Sequence, residues 1–390
     1  MSIAIDQEQG FLSAIRRIAD DVAAPNAEDV DRSARFPVET IDALRAERAL
    51  SALIPREYGG GGVSFETVAA ACFELGRRCG ASAMVFAMHQ IQIATIARHA
   101  DDSPWFQAYL RDVARNQRLV ASVTSEIGTG GDLGKSVAAV TPAGDGRATF
   151  EKQAPSVSYG AYADDLLTTL RRAPEAEPGD QVVVLTNRDQ FTLEQMGSWD
   201  VMGMRGTCSP GYVVRAEFPT EQILPTPFST VATESMVPIS HILWSHLWLG
   251  IATDAFDRAR AFVRASAKGR PDQLPPTATR LSQLMSELSL LRAEVYTGLR
   301  EFGEANVEDR EKLSTMATIL RFNNLKIAAS EQAPQVCRGA MSVCGIVGYK
   351  NDTPFSVGRH LRDTMSACLM VANDRIHQTN ASLLLIAKDV

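Results

Sequence analysis

The sequence predicts an α+β protein, mostly α, in the order helices, strands, helices. Three observations carry that expectation. Apolar residues recur at three- and four-residue spacing through residues 1–118. Between 119 and 235 the period changes to short β-type segments separated by Gly, Pro and Asp. From 236 to 390 long amphipathic stretches return with short connections, the pattern of an antiparallel bundle. The expected domains are an N-terminal helical domain over 1–118, a small β-barrel over 119–235 and a four-helix bundle over 236–390.

In the first domain, residues 11–22 and 38–50 read as helices, the second entered through Phe36-Pro37. Gly59 to Gly62 is a break that no helix survives. Ser64 is a candidate N-cap for the next helix, with Glu66 in its first turn. Residues 82–99 are apolar nearly all round, so they form a buried helix that carries His89 as a core histidine. In the middle domain, strands are expected at 136–140, 148–152, 165–171, 181–186, 191–195 and 211–218. In the last, helices are expected at 239–267, 280–302, 312–332, 334–344 and 362–387. Residues 268–277 and 345–358 are expected loops.

With 390 residues, two or three domains and a large core are expected. A net charge of −7 and no Lys/Arg run give no electrostatic footprint for nucleic acid. The first residues lack the charged and apolar pattern of a signal peptide, and no apolar run reaches 18 residues. Six scattered Cys with no C-x-x-C, and six His without metal-ligand spacing, point to reduced thiols and no metal. These features fit a cytoplasmic protein.

Residues 119–132 read L-V-A-S-V-T-S-E-I-G-T-G-G-D, an alternating strand that breaks into a Gly- and hydroxyl-rich loop. Backbone N–H groups can approach an anionic ligand closely there, because Gly has no Cβ. Three further pieces share the chain with it: I-P-R-E-Y-G-G at 54–60, M-G-M-R-G-T at 202–207, and G-I-V-G-Y at 345–349 followed by Arg362-Asp363.

In order and spacing these pieces resemble the P-x-x-Y-G-G, T-E-P-x-A-G-S-D, G-x-R-G-[ST] and G-G-x-G-Y…R-D motifs of the acyl-CoA dehydrogenase family, over essentially the whole chain. The resemblance implies FAD, with Val123 and Ser125 contacting the isoalloxazine and Ser158 supplying a second hydroxyl. It places Arg264 and Ser266, and the Gly345–Gly348 turn, on the ADP part of a partner's FAD. The aromatic and Gly expected after Ser266 are replaced by Ala267 and Lys268. Gly131 stands where the family has the Ser of G-S-D, near cofactor and pantetheine, and Arg205 is a candidate substrate contact. Shared cofactor sites imply a homodimer or homotetramer.

The resemblance breaks at the base. The family's catalytic glutamate falls on Val371, and its alternative position, on the first bundle helix, on Ser240. Asp374, one helical turn from Val371, and His241, beside Ser240, are the candidate substitutes. The expected reaction is FAD-dependent α,β-dehydrogenation of an acyl thioester, on CoA or on a carrier protein, with an electron-transfer flavoprotein as acceptor. Arg77, Arg78 or Arg338 could dock an acidic carrier. The alternative is a monooxygenase of the same fold, fed by a flavin reductase and needing no α-proton base. A third reading is a flavin-binding protein without turnover.

Overall fold

A computed structural model describes residues 2–100, 102–268, 274–308 and 310–387. The chain opens with α1 (Ser2–Ile18), which passes through one π turn (Ala19–Ala23) into α2 (Ala24–Arg32), and then α3 (Val38–Ala46). The helix expected at 38–50 ends early because Arg48 adopts φ 56°, and residues 49–51 tighten into a 3₁₀ turn. Ser64 caps α4 (Phe65–Gly76) through its Oγ, which accepts from the Thr67 N–H at 3.3 Å. Nearly every residue of α5 (Gly80–Arg98) is buried, as its all-round apolar sequence predicts. α6 (Pro104–Asn116) completes the first region.

The middle region contains β1 (Val120–Val123), β2 (Thr141–Gly144), β3 (Arg147–Ala154), β4 (Asp165–Arg171), β5 (Gln181–Asn187), β6 (Phe191–Met196) and β7 (Gly211–Pro219). They divide between two sheets, ordered β1-β4-β5 and β2-β3-β7-β6, in place of one closed ladder. β1 runs parallel to β4, from Val120 opposite Asp165 to Val123 opposite Thr168. Residues 136–140, expected as a strand, make only a single bridge, Ala139 to Arg171.

α7 (Phe228–Val231) and a second π turn (Ala232–Met236) lead into α8 (Val237–Ala267). α8 is the axis of the molecule. Gly76 of α4 lies on the Leu247 backbone of α8, and Gly250 of α8 on the Phe73 backbone of α4. A side chain at either glycine would push the two helices apart. α9 (Ala278–Glu308) and α10 (Met316–Cys344) follow, then α11 (Ile346–Tyr349), α12 (Gly358–Met365) and α13 (Asn373–Leu384). α10 continues through Pro334, where the sequence suggested two helices. The helix expected at 362–387 is instead two, interrupted by a turn over residues 366–372. Of the loop expected at 268–277, residues 269–273 lie outside the described residues. One buried apolar cluster runs through all three regions. Among the described residues no helix is long and apolar enough to cross a membrane.

Candidate active site

β1 aims the glycine loop. Its start is fixed from α5, where His89 Nδ1 accepts from the Val120 N–H at 3.1 Å. Nε2 of the same ring donates to the Leu50 carbonyl at 2.7 Å. Burial pushes His89 down to about 4, so it stays neutral and holds that tautomer. The Tyr159 hydroxyl donates to the Val120 carbonyl at 3.0 Å. Val123, the last residue of β1, is fully buried.

Beyond β1 the chain is pinned again at Glu126. Its buried carboxylate accepts from the Ser136 hydroxyl at 2.7 Å and the Ala138 N–H at 2.5 Å. Lys152 Nζ, also buried, lies 3.5 Å away and donates to the Thr169 carbonyl at 2.6 Å. Both ends of the segment 127–135 are therefore fixed, while Gly128, Gly130 and Gly131 within it take φ of 96°, 61° and 82°. These are backbone states that a side chain disfavours. Gly131 is exposed, and no heavy atom lies within 4 Å of where its Cβ would be.

Two half-buried serines flank this loop. Ser125 Oγ donates to the Ser156 carbonyl at 2.7 Å. Ser158 Oγ accepts from Ser209 Oγ at 3.0 Å. Among the described residues, the backbone N–H groups of Ser125 and Ser158 have no protein acceptor. Free donors, hydroxyls and side-chain-free backbone in one segment fit a planar, hydrogen-bonding anionic cofactor.

Across the loop stands the first turn of α13. The Arg375 Nη2 lies 2.8 Å from the position a Cβ on Gly130 would take. Among the described residues this guanidinium has no ion pair. Asp374, beside it, is solvent-exposed. Asp374 is not on a common helical face with Val371, because Val371 is not helical. It sits in the 366–372 turn at φ 48°, 43% exposed. Its carbonyl accepts from the buried Lys326 Nζ of α10 at 2.9 Å, and Asn373 Oδ1 accepts from the same nitrogen at 2.7 Å. His241 is buried between α8 and α10, with Nδ1 3.1 Å from the Phe322 carbonyl. Burial, and then the Lys326 charge, hold it down to about 3, which makes it a poor proton acceptor. Ser240 is buried and donates to the Val237 carbonyl of its own helix at 2.8 Å.

The remaining candidates lie elsewhere. Arg205 donates to the carbonyls of Asp31 and Val201, each at 2.9 Å, so its guanidinium ties α2 to the 200–207 turn. That turn also packs on Arg362-Asp363. The Met204 N–H donates to Asp363 Oδ1 at 2.7 Å, and a Cβ on Gly203 would overlap the Arg362 carbonyl. Two of the sequence motifs are thus the two halves of one structural joint. Arg264 and Ser266 are exposed on the last turn of α8, and Ser266 Oγ donates to Phe262 of the same helix at 3.0 Å. Gly345 ends α10 at φ 60° with open space above it, while Gly348 is buried against Cys344. No hydrogen bond or ion pair joins these four to the glycine loop among the described residues. Among the described residues, no cluster of three His, Cys, Asp or Glu could hold a metal.

Residues 6–117 match the family model described as "Acyl-CoA dehydrogenase, N-terminal domain". A probable FMNH2-dependent monooxygenase, SfnC of Pseudomonas putida, is 24% identical over 94% of this chain and 93% of its own. A probable acyl-CoA dehydrogenase, YngJ of Bacillus subtilis (strain 168), is 23% identical over 93% of this chain and 94% of its own. Residues 6–117 thus match the N-terminal domain of the acyl-CoA dehydrogenase family, and the whole chain is similar to such proteins at 23–24% identity. Its fold is shared by FMN-bound TdsC from Paenibacillus sp. A11-2, at TM-score 0.82 and 21% identity, over 96% of this chain and 97% of that one. An acyl-CoA dehydrogenase fold accounts for the helical, sheet and helical regions, and for why a helix of the last region closes over a loop of the middle one. Relatives that bear names of two different reactions leave the chemistry to the residues of this chain.

Proposed function

We propose that this protein is a flavin-dependent monooxygenase that uses reduced flavin and O2, with FMN as its flavin. The observation that supports this over dehydrogenation is Val371, a side chain that takes no proton, on a left-handed turn where the family's base belongs. Ser240 at the alternative position is buried and bonded within its own helix. Neither substitute suits the task, since Asp374 faces solvent and burial makes His241 too weak a base. Oxygenation requires no α-proton base.

Val123, Ser125 and Ser158 would hold the ring system, through burial, free N–H groups and hydroxyls. Arg375 and the backbone of Gly130 and Gly131 would hold a phosphate, for which a guanidinium over a side-chain-free loop is suited. What a reduced flavin supplies when bound is two electrons for O2, one oxygen atom going to the substrate and the other to water. One guanidinium over one loop favours a single phosphate. The run Arg264-Ala265-Ser266-Ala267-Lys268 offers adenine no aromatic ring. Both points favour FMN over the FAD that the sequence resemblance implies, and a flavin reductase over an electron-transfer flavoprotein as partner.

The test is a pair of titrations. The protein is expected to bind reduced FMN, to consume O2 with it, and to keep its flavin oxidised when mixed anaerobically with butyryl-, octanoyl- or palmitoyl-CoA. Anaerobic bleaching of bound flavin by any of these thioesters overturns the monooxygenase reading in favour of dehydrogenation. Tighter binding of FAD than of FMN overturns the choice of cofactor.

A further inference from the structure

Beneath the 366–372 turn lies a buried lysine. Lys326, fully buried on α10, donates to the Val371 carbonyl at 2.9 Å and to Asn373 Oδ1 at 2.7 Å. Asn373 in turn donates to Ser330 Oγ at 3.1 Å and Glu331 Oε1 at 3.2 Å. One amine thus grips both left-handed Val371 of the turn and the first residue of α13. A β-branched residue at φ 48° is costly and persists only where its surroundings over-determine it.

We infer that Lys326 is a positioning residue that fixes the 366–372 turn and makes position 371 unfit for a proton-abstracting carboxylate. This rests on the reading of position 371 as the family's base position. The lysine nitrogen touches the carbonyl of residue 371, so a carboxylate on that residue would sit in the field of a buried amine, lowered by burial to about 8 and still charged at neutral pH. Such a neighbour stabilises the carboxylate anion and lowers its proton affinity, the wrong direction for a group that must take a proton from carbon. A hydrophobic side chain at 371 and the lysine beneath it therefore belong together. Changing one alone does not rebuild a base.

The experiment uses the full chain and needs neither flavin nor substrate, so its failure is separate from failure of the monooxygenase reading. Hydrogen exchange is measured on the 366–376 segment, with α5 as internal control, in the parent, K326M and K326R. A double-mutant cycle of V371E with K326M is run in parallel by urea unfolding. K326M is expected to speed exchange of 366–376 by about tenfold or more, through the loss of two charge-assisted hydrogen bonds, with α5 unchanged and K326R restoring part of the protection. V371E is expected to lower the folding constant at least about fivefold more in the K326M background than in the parent. Unchanged exchange at 366–376, an equal rise in α5, or strictly additive effects in the cycle would each overturn the inference.

Discussion

Arg375 Nη2 occupies the space in which a side chain on Gly130 would begin, 2.8 Å from its Cβ position. The last helix and the glycine loop, some 245 residues apart in sequence, therefore meet, with a positive charge beside the loop. Arg375→Ala is expected to weaken FMN binding about tenfold or more, the scale of one charge-assisted hydrogen bond, and to leave riboflavin binding unchanged. Fluorescence quenching with the two ligands reads this directly. Equal losses for both would place Arg375 outside the phosphate site.

Val371 gives a prediction on stability. A left-handed β-branched residue costs about 1–2 kcal/mol, against about 0.5–1 kcal/mol for the extra freedom of glycine in the unfolded chain. Val371→Gly is therefore expected to stabilise the protein by up to about 1 kcal/mol, seen as a later urea midpoint. A destabilised variant would mean that the exposed valine side chain packs better than its surface position suggests.

The Glu126–Lys152 pair ties down both ends of the loop. Both side chains are buried, so Lys152→Met leaves a carboxylate without its cation, at a cost of about 3–5 kcal/mol. Burial already lowers the lysine to about 8. The expected outcome is an earlier unfolding midpoint with FMN affinity reduced as well, because the loop loses its anchor. Retained affinity at reduced stability would separate the pair from the cofactor site.

Four buried histidines set the acid limit. Burial lowers His89, His246 and His360 to about 4 and His241 to about 3, against 6.5 when unfolded. His360 donates Nε2–H to Asp254 at 2.8 Å, a carboxylate already paired with Arg258, and its Nδ1 has no partner for a second proton. Between pH 6.5 and 4 the unfolded chain binds more protons than the folded one, so stability falls as pH falls through that window. Thermal melts from pH 7 to 4 are expected to drop progressively, and His246→Gln to flatten part of the drop. A melting temperature independent of pH over this range would contradict the neutral, buried assignment.

Asp374→Asn is expected to leave FMN affinity and O2 consumption unchanged. It should cost only about 0.5 kcal/mol through the first-turn charge of α13. A large loss of turnover would restore Asp374 as a catalytic group.

The sequence carried the order of regions and most helices because their apolar period is strong, as in α5 and α8. It also carried the glycine loop, because positive φ leaves a visible mark in composition. It misplaced the 362–387 helix, since nothing local marks Val371 as left-handed. That conformation is imposed by Lys326, 45 residues earlier. Arg375 and Lys326 were illegible for the same reason: each gains its meaning from a partner distant in sequence. The motif residues Arg205, Gly203 and Asp363 were legible as a pattern, but the structure uses them as a joint between regions.

The inner face of α13 presents Asn373, Ile376 and Asn380, two amides around one aliphatic residue. Asn380 bonds to Asn323 at 2.7 Å and Asn324 at 3.0 Å, and Asn373 meets Lys326. Little oil is exposed when such a seam opens, and water can replace every bond it loses. The C-terminal helix is therefore built to fray before the bundle does, as a separate cooperative unit. Clipping it with a protease should give a truncated product that stays dispersed, without the sticky surface that an aliphatic seam would leave behind.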